Sequence, residues 1–174
     1  MSAAAEMSQP RITKVVVHIG VGEAGQRLMV AERVLELLTG LSSVRTIAKS
    51  TNRDVGTREG APIGCKVTMR DSSTIDTFLK DAFWVREQII HEWSFDEGGN
   101  LSFGIKDYTD FPKQKYDPEI GIFGMDINIV LERPGHRVSR RRRRSSRVGA
   151  GHRVSREECK SFFQDHYNVT IVEV

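Results

Sequence analysis

The sequence predicts an α+β fold, which is a single domain with a largely antiparallel sheet, helices on one face and a long basic loop. Apolar and polar residues alternate over 65–70, 101–106 and 127–132, as expected for antiparallel strands that are buried on one face only. Other segments repeat apolar residues at the helical period. The chain has 174 residues, of which 39% are apolar, and this is enough for one domain with its own core.

The N-terminal half begins with a predicted flexible segment, 1–10, and the single domain then covers 11–174. A strand over Arg11–Ile19 leads through the glycine-rich turn Gly20–Gly25 into a helix, and Gly40 is placed to end that helix. The apolar positions of the helix follow its period: Leu28, Ala31, Val34, Leu35 and Leu38. Strands over Val44–Ser50 and Ile63–Arg70 then form a hairpin with a long tip.

A second helix is predicted from the capping serines Ser72 and Ser73 to about Trp93. Its spacing indicates that Trp84 and Trp93 are packing residues. The predicted buried stripe of this helix consists of Ile75, Phe78, Leu79, Ala82, Ile89, Ile90 and Trp93.

The C-terminal half contains two more strands, Leu101–Ile105 and Asp126–Leu131, which are joined by an irregular loop. A basic insert, 133–156, follows the second of them. Ser155-Arg-Glu-Glu158 has the form of a capping box, and it predicts a last helix that ends at His166. The segment 169–172 closes the fold as a short strand.

Several functional classes are excluded by composition and spacing. No apolar run reaches the roughly 18 residues of a spanning helix, and the first ten residues lack the pattern of a signal peptide. The two cysteines, Cys65 and Cys159, stand far apart, which suits a reducing cytoplasm. The histidines show no metal-binding spacing. We therefore expect no catalytic residue, no metal and no cofactor.

One enzyme-like motif leaves an alternative open. Gly20-x-Gly22-x-x-Gly25 lies between a strand and a helix, as in dinucleotide-binding folds. The acidic residue that such folds place about 20 positions later is missing, although Arg45 could serve an NADP-dependent oxidoreductase. The alternating strands favour a purely structural turn.

The insert is the strongest charge signal, because 133–156 contain ten arginines and no acidic residue within a chain of net charge +3. Guanidinium groups bind phosphates in a bidentate manner, so this pattern favours a polyanionic partner such as RNA. A solvated loop, a sorting signal and a peripheral membrane protein remain alternatives. The candidate residues for binding an RNA backbone are Arg137, Arg140, Arg141, Arg142, Arg143, Arg144, Arg147 and Arg153.

A second basic cluster lies on the predicted hairpin and its tip. It consists of Arg45, Lys49, Arg53, Arg58, Lys66 and Arg70, offset only by Asp54 and Glu59. Two cationic surfaces on one small domain indicate contact with more than one RNA element.

The hairpin also carries a resemblance to a known family. The segment Leu38–Ser50, followed by Arg58-Glu-Gly-Ala-Pro62-Ile-Gly64-Cys-Lys66-Val-Thr-Met-Arg70, closely resembles the large-subunit ribosomal protein L5 family, which binds 5S rRNA. The similarity continues through Val17–Gly22, Phe103–Ile105, Asp110–Pro112 and Gly121–Ile127, and thus covers nearly the whole chain. The insert resembles the archaeal and eukaryotic branch, although five consecutive arginines are unusually dense.

The resemblance implies a structural, non-enzymatic protein of the cytoplasmic ribosome. Its implied partners are 5S rRNA in the central protuberance, large-subunit rRNA, P-site tRNA and neighbouring ribosomal proteins, including a small-subunit head protein. The 5S rRNA candidates are Arg45, Thr46, Lys49, Lys66, Thr68 and Arg70. The tRNA candidates are Asn52, Arg53, Thr57 and Arg58. Val55 and Leu41 depart from the family pattern, and Val55 replaces a frequent aromatic residue at the tip.

Overall fold

The fold was analysed in a computed structural model that describes residues 7–54, 56–112 and 114–172. Residues 1–6 of the predicted flexible N-terminus, and Val55, lie outside the described residues. The strands within these ranges are β1 (Arg11–Gly20), β2 (Val44–Ile47), β3 (Pro62–Met69), β4 (Ile89–His91), β5 (Asn100–Ile105), β6 (Met125–Glu132) and β7 (Thr170–Val172). The helices within them are α1 (Gln26–Thr39), α2 (Ser72–Val85) and α3 (Arg156–Tyr167).

Five strands form an antiparallel sheet in the order β2-β3-β1-β6-β5, so β1 lies at its centre. Val17 on β1 stands opposite Val67 on β3 and Ile127 on β6, and all three side chains are buried. The helices cover this apolar face, and together they form one core cluster. The α+β prediction is therefore confirmed, and the alternation along the strands is its physical basis.

The ends of α1 and α3 follow from local sequence. Gly40 adopts a left-handed conformation with φ 69° and its N–H bonds the carbonyl of Glu36, which ends α1 as predicted. Ser155 and Glu158 form both hydrogen bonds of the predicted capping box at the start of α3. These signals depend on neighbouring residues only, which is why the sequence reveals them.

Two predictions for α2 are wrong. Its N-cap is Asp71, whose carboxylate accepts from the backbone N–H of Thr74 at 3.1 Å, while Ser72 and Ser73 are the first residues of the helix. The helix ends at Val85, not near Trp93, because Glu87 and Gln88 adopt left-handed conformations with φ of 54° and 60°. The chain then enters β4, which pairs in parallel with β7.

This early end also overturns the prediction that the two tryptophans pack in the core. Trp84 is 60% exposed and Trp93 is 70% exposed. Pairing of β4 with β7 turns Ile90 into the core, and the short 3-10 turn that follows directs Trp93 outward, stacked on His91 at 5.6 Å. The β4–β7 pair joins residues far apart in sequence, so helical periodicity could not reveal it.

Both cysteines are fully buried, one on each side of the chain's midpoint in sequence. Cys65 lies on the core face of β3, and burial raises the pKa of its thiol to about 11. Cys159 lies on α3, where its Sγ contacts the carbonyl of Gly99 at 3.3 Å and burial raises its pKa to about 12. The two thiols are therefore protonated at neutral pH.

Candidate nucleic-acid interface

One face of the five-stranded sheet lies opposite the helices, and no helix of the described residues covers it. We call it the open face. Strand register places Lys66, His18 and Asp126 in one row across β3, β1 and β6. The next row runs from Thr68 through Val16 and Asn128 to Ser102, with Ser102 donating to Asn128 at 2.9 Å. The open face thus presents ammonium, imidazole, hydroxyl and amide groups, which hydrogen-bond phosphates and riboses. It also carries the exposed Asp126 carboxylate, whose Oδ2 lies 3.9 Å from Nδ1 of His18.

Three of the six predicted 5S rRNA residues lie together on the open face. Thr46, Lys66 and Thr68 are brought there by the pairing of β2 with β3 and of β3 with β1. Lys66 is exposed, and it has no ion pair within the described residues. Asn128, Ser102 and His18 belong to the same surface. Strand alternation in the sequence already predicts the side of the sheet on which Ser102 and Asn128 lie, whereas His18 was not predicted as part of the site.

Arg45 lies on the opposite side of the sheet. It stands opposite Cys65, and therefore its side chain points to the helices, where Nε and Nη2 donate to the Glu32 carboxylate at 2.5 and 3.1 Å. The Arg45 hydrogen bond lowers the pKa of Glu32 below its ordinary value, against a smaller opposing effect of burial. Arg45 is thus engaged within the protein, while half of its side chain remains exposed.

The other two predicted 5S rRNA residues lie at opposite ends of the hairpin. Lys49 is exposed just after β2, in the loop at the hairpin tip. Arg70 directly follows β3 and lines a pocket between α2, α3 and the start of β1. The structure therefore divides the predicted set among the open face, the tip and that pocket.

Two glycines shape the open face where it meets the hairpin tip. Gly20 and Gly64 stand opposite each other on β1 and β3, so no side chain projects there. A Cβ atom on Gly64 would lie 2.7 Å from the backbone oxygen of Ile19 and 2.9 Å from Oγ1 of Thr46. The Oγ1 atom is buried and has no hydrogen-bond partner within the described structure. Close strand packing at this point therefore requires glycine.

The hairpin tip, residues 48–61, is held together mainly by its backbone. Ala48 and Ala61 share a hydrogen bond of 2.9 Å, and Gly60 donates to the Ala48 carbonyl at 3.0 Å. Asn52 and Thr57 exchange two backbone hydrogen bonds of 2.9 and 3.0 Å. Because β2 gives way to these irregular bonds after Ile47, it is shorter than the predicted strand to Ser50.

The cations of the tip are left available by this backbone network. Lys49, Arg53 and Arg58 are exposed, and none forms an ion pair within the described residues. Of the predicted tRNA residues, Asn52 and Thr57 are the paired residues that close the turn, and Arg53 and Arg58 flank that pair. The tip therefore presents free guanidinium groups on a hydrogen-bonded loop.

The insert is anchored by its own arginines and a histidine. Arg133 donates to the carbonyls of Gly151 and Arg153 and to the Glu158 carboxylate, the last at 2.7 Å. The ring nitrogen Nε2 of His152 lies 2.7 Å from the Pro134 carbonyl oxygen. These contacts join the two ends of the insert, which contains two short 3-10 turns, His136–Ser139 and Ala150–His152.

Two residues of the five-arginine run are engaged within the protein. Arg140 donates to both carboxylate oxygens of the buried Glu132, and Arg141 donates to the carbonyl of Arg144 at 2.8 Å. The remaining candidate guanidinium groups are exposed and have no ion pair within the described residues: Arg137, Arg142, Arg143, Arg144, Arg147 and Arg153. The insert therefore combines anchoring arginines with free ones.

The glycine motif at the end of β1 serves the hairpin. The N–H groups of Val21 and Gly22 both donate to the Ile63 carbonyl, at 3.0 and 2.8 Å, so they are not directed at a phosphate. Both neighbours of β1 are antiparallel, whereas a dinucleotide fold places parallel strands there. This geometry favours the structural interpretation of the turn.

The described residues bring together no three His, Cys, Asp or Glu side chains that could hold a metal ion. In the same part of the chain, no helix has both the length and the apolar character to span a membrane.

Comparison with known proteins gives the same family on both halves of the chain. A family model described as ribosomal protein L5 matches residues 5–58, and a model of the C-terminus of the ribosomal L5 family matches residues 62–162. The large ribosomal subunit protein uL5 of Sulfurisphaera tokodaii is 51% identical over 168 residues, which cover 96% of this chain and 94% of that protein.

Two further relatives carry the same printed name. The protein of Thermoplasma acidophilum is 49% identical, and the match covers 95% of this chain and 98% of that protein. The protein of Methanococcoides burtonii is 46% identical, with 95% and 97% covered. The matches therefore extend through the basic insert as well as the sheet.

Proposed function

The chain belongs to the ribosomal protein L5 family over nearly its whole length, and on that premise we propose that it binds 5S rRNA in the central protuberance of the large ribosomal subunit. A protein of this family has a structural role in the cytoplasmic ribosome. That role uses surfaces that hold RNA segments in fixed relation, and it requires no reaction at any side chain. We take 11–174, with its insert, as one RNA-binding domain.

The open face is the observation that carries the 5S rRNA proposal. Lys66 supplies a cation for the RNA backbone, and Thr68 supplies a hydroxyl group on the same surface. Thr46 contributes through its place in β2 beside Gly64, because its own hydroxyl is buried. His18 is the single aromatic ring in the two rows described above, so contact with phosphates and riboses is favoured over stacking of several bases.

The remaining 5S rRNA candidates extend this surface. Lys49 lies at the tip side of the open face, and Arg70 lies beyond the other end of β3. Arg45 contributes indirectly, because its pair with Glu32 ties β2 to α1 and thereby fixes the position of Thr46. A rigid sheet of this kind keeps its phosphate ligands in register without first having to order a loop.

The hairpin tip is the proposed tRNA contact. Arg53 and Arg58 project free guanidinium groups from a closed turn, and Asn52 and Thr57 add an amide and a hydroxyl group. These groups suit the sugar–phosphate backbone of a P-site tRNA. Backbone hydrogen bonds close the turn and leave Arg53 and Arg58 for the ligand, while Oδ1 of Asn52 already accepts from the backbone N–H of Asp54 at 3.0 Å.

The insert is the proposed contact for the large-subunit rRNA backbone. Its free guanidinium groups, Arg137, Arg142, Arg143, Arg144, Arg147 and Arg153, are the strongest candidates, with Arg140 and Arg141 engaged internally. The acidic surfaces between residues 71 and 132 are left for neighbouring proteins, among them a small-subunit head protein at an intersubunit bridge. A cationic ribosomal partner suits those carboxylates.

Competition binding tests the 5S rRNA proposal. We expect the protein to bind 5S rRNA at least about tenfold more tightly than an unrelated RNA of equal length, at every salt concentration of a series. Equal affinity for both RNAs would show that the protein binds RNA only through non-specific electrostatic attraction, and it would overturn the proposal.

A matched pair of variants locates the site. Lys66→Gln removes a cation from the open face, and Arg33→Gln removes one from the exposed side of α1. We expect only Lys66→Gln to weaken 5S rRNA binding and to reduce its salt slope by about 0.7–0.9. Equal losses in both variants would contradict an interface on the open face.

A further inference from the structure

A pocket on the helix side of the sheet shares only Arg70 with the interface described above. It has a volume of about 750 Å³ and lies between α2, α3 and the start of β1. We call it the α2–α3 pocket. We infer that it binds a phosphate-bearing nucleotide presented by single-stranded RNA, as a second RNA site that does not depend on the 5S rRNA proposal.

Three cations from separate elements meet at this pocket. Arg11 comes from β1, Arg70 follows β3, and Lys80 comes from α2. All three are exposed, and none has an ion pair within the described residues. They are distant in sequence and therefore form no visible charge cluster there. Three uncompensated cations around one cavity favour an anionic ligand, and phosphate is the anion that suits arginine best.

The acidic side chain of the pocket is already engaged. Asp76 is the single acid among the described residues that line it, and its Oδ1 accepts from the Tyr167 hydroxyl at 2.7 Å. That hydrogen bond and burial raise the pKa of Tyr167 above its ordinary value, which keeps the hydroxyl protonated as the donor. The carboxylate is therefore held toward α3 and competes less with a phosphate for the three cations.

Two aromatic rings in the pocket favour a nucleotide over inorganic phosphate as the ligand. Phe162 on α3 is half-buried, and its ring centroid lies 4.4 Å from that of His166. Both rings line the pocket. Proteins that bind single-stranded nucleic acid combine aromatic side chains with nearby cations, because every kind of base can stack on an aromatic ring.

Only the cavity on one side of Phe162 has a charge that favours an anionic ligand. The adjoining groove, which shares Phe162, contains Glu157, Asp165 and the Arg133–Glu158 pair, so its acids outnumber its one arginine. A polyanion is repelled there and attracted on the α2 side, so an RNA strand would meet the protein at the α2–α3 pocket in one orientation. A short unpaired segment fits this arrangement better than a broad duplex, whose bases are not available to the ring.

Calorimetric titration with a tetranucleotide RNA, together with the aromatic NMR signals of Phe162, His166 and Tyr167, tests the inference. We expect saturable binding that shifts these signals. Lys80→Gln should weaken binding about tenfold, since it removes a charged phosphate contact, and Lys80→Arg should restore it. Arg33→Gln, which removes the same charge from α1, should change binding less than twofold.

Three results would overturn the inference. If the NMR signals of Phe162, His166 and Tyr167 do not shift on titration, the α2–α3 pocket is not the binding site. If Lys80→Gln and Arg33→Gln reduce the affinity equally, binding is a general electrostatic attraction. Nucleoside monophosphates or inorganic phosphate that bind as tightly as the tetranucleotide would exclude RNA as the source of the ligand. A failed 5S rRNA preference would leave all three readouts unaffected, so the two proposals can fail separately.

Discussion

The hairpin tip and the insert are both cationic loops, and they differ in what holds them. At the tip, backbone groups bond to backbone groups, as in the Asn52–Thr57 pair, and Arg53 and Arg58 are left free. In the insert, side chains provide much of the support, with Arg133 bonding two carbonyls and Glu158. Charge density in the sequence is therefore a poor measure of the charge that a ligand can reach.

The difference follows from composition. Few residues of the insert pack in the core, and Val154 is one that does. The insert also lacks acids of its own, so its arginines reach carboxylates outside the run, namely Glu132 and Glu158. Arginine can donate to several acceptors at once, which lets one side chain join two ends of a loop. Some arginines of the insert are thus structural, and substitution should separate the two groups.

The largest expected effect is on stability. Arg133→Ala removes hydrogen bonds to two carbonyls and a carboxylate from a side chain that is only 14% exposed. We expect the free energy of unfolding to fall by about 2–3 kcal/mol, measured by urea unfolding with far-UV circular dichroism. Arg142→Ala serves as the control and should change it by less than about 0.5 kcal/mol. Equal effects would erase the distinction between anchoring and free arginines.

The next effect concerns the free arginines of the insert. Replacing Arg142, Arg143 and Arg147 with glutamine should reduce the salt slope of binding to a large-subunit rRNA transcript by about 2–3, because three phosphate contacts are lost. Unfolding should be unchanged, since none of these side chains has an ion pair in the described part of the chain. An unchanged slope would show that the exposed arginines do not reach RNA.

A smaller change is expected at the tip. Arg53→Gln combined with Arg58→Gln should reduce the salt slope of tRNA binding by about 1–2 and leave stability unaltered, because backbone bonds close the loop. Lys66→Gln provides the control and should weaken 5S rRNA binding without affecting tRNA binding. If the double variant unfolds more easily, the tip depends on its side chains as the insert does.

The smallest effect tests Arg45, the engaged cation of the hairpin. Because Arg45 lowers the pKa of Glu32, this pair stabilises the fold above the ordinary carboxyl pKa of 4.5, and the contribution is lost as the pH falls through the lowered value. Glu32→Gln should therefore reduce Tm by about 1 °C at pH 7, and the difference should diminish as the pH falls below 4.5. A difference that persists in acid would point to packing instead.

Much of the fold could be predicted because its signals are local. Gly40, the Ser155–Glu158 capping box and the alternation in β3, β5 and β6 each depend on neighbouring residues. The end of α2 could not be predicted, since Ile89 and Ile90 continue its helical period while their actual partners lie on β7. A pairing between distant segments leaves no trace in periodicity.

The candidate site was predictable in part for the same reason. Lys66 and Thr68 lie on the open face because strand alternation places them there. Side chains also alternate along β2, but the sequence does not show which of its faces Arg45 occupies. The β2–β3 register shows it, because Arg45 stands opposite Cys65, which faces the core. The α2–α3 pocket joins Arg11, Arg70 and Lys80 across three elements, and no window of sequence contains them together.

The two buried thiols report separately on the hairpin and on the insert. Cys65 lies beneath the hairpin and Cys159 lies beneath the start of the last helix, next to the insert. Because both are protonated and enclosed, a thiol reagent can modify either one only after the structure around it opens. Mass spectrometry of the peptides would give a separate modification rate for each thiol. The rate at Cys65 would report opening of the hairpin, and the rate at Cys159 would report opening of the region where the insert meets α3.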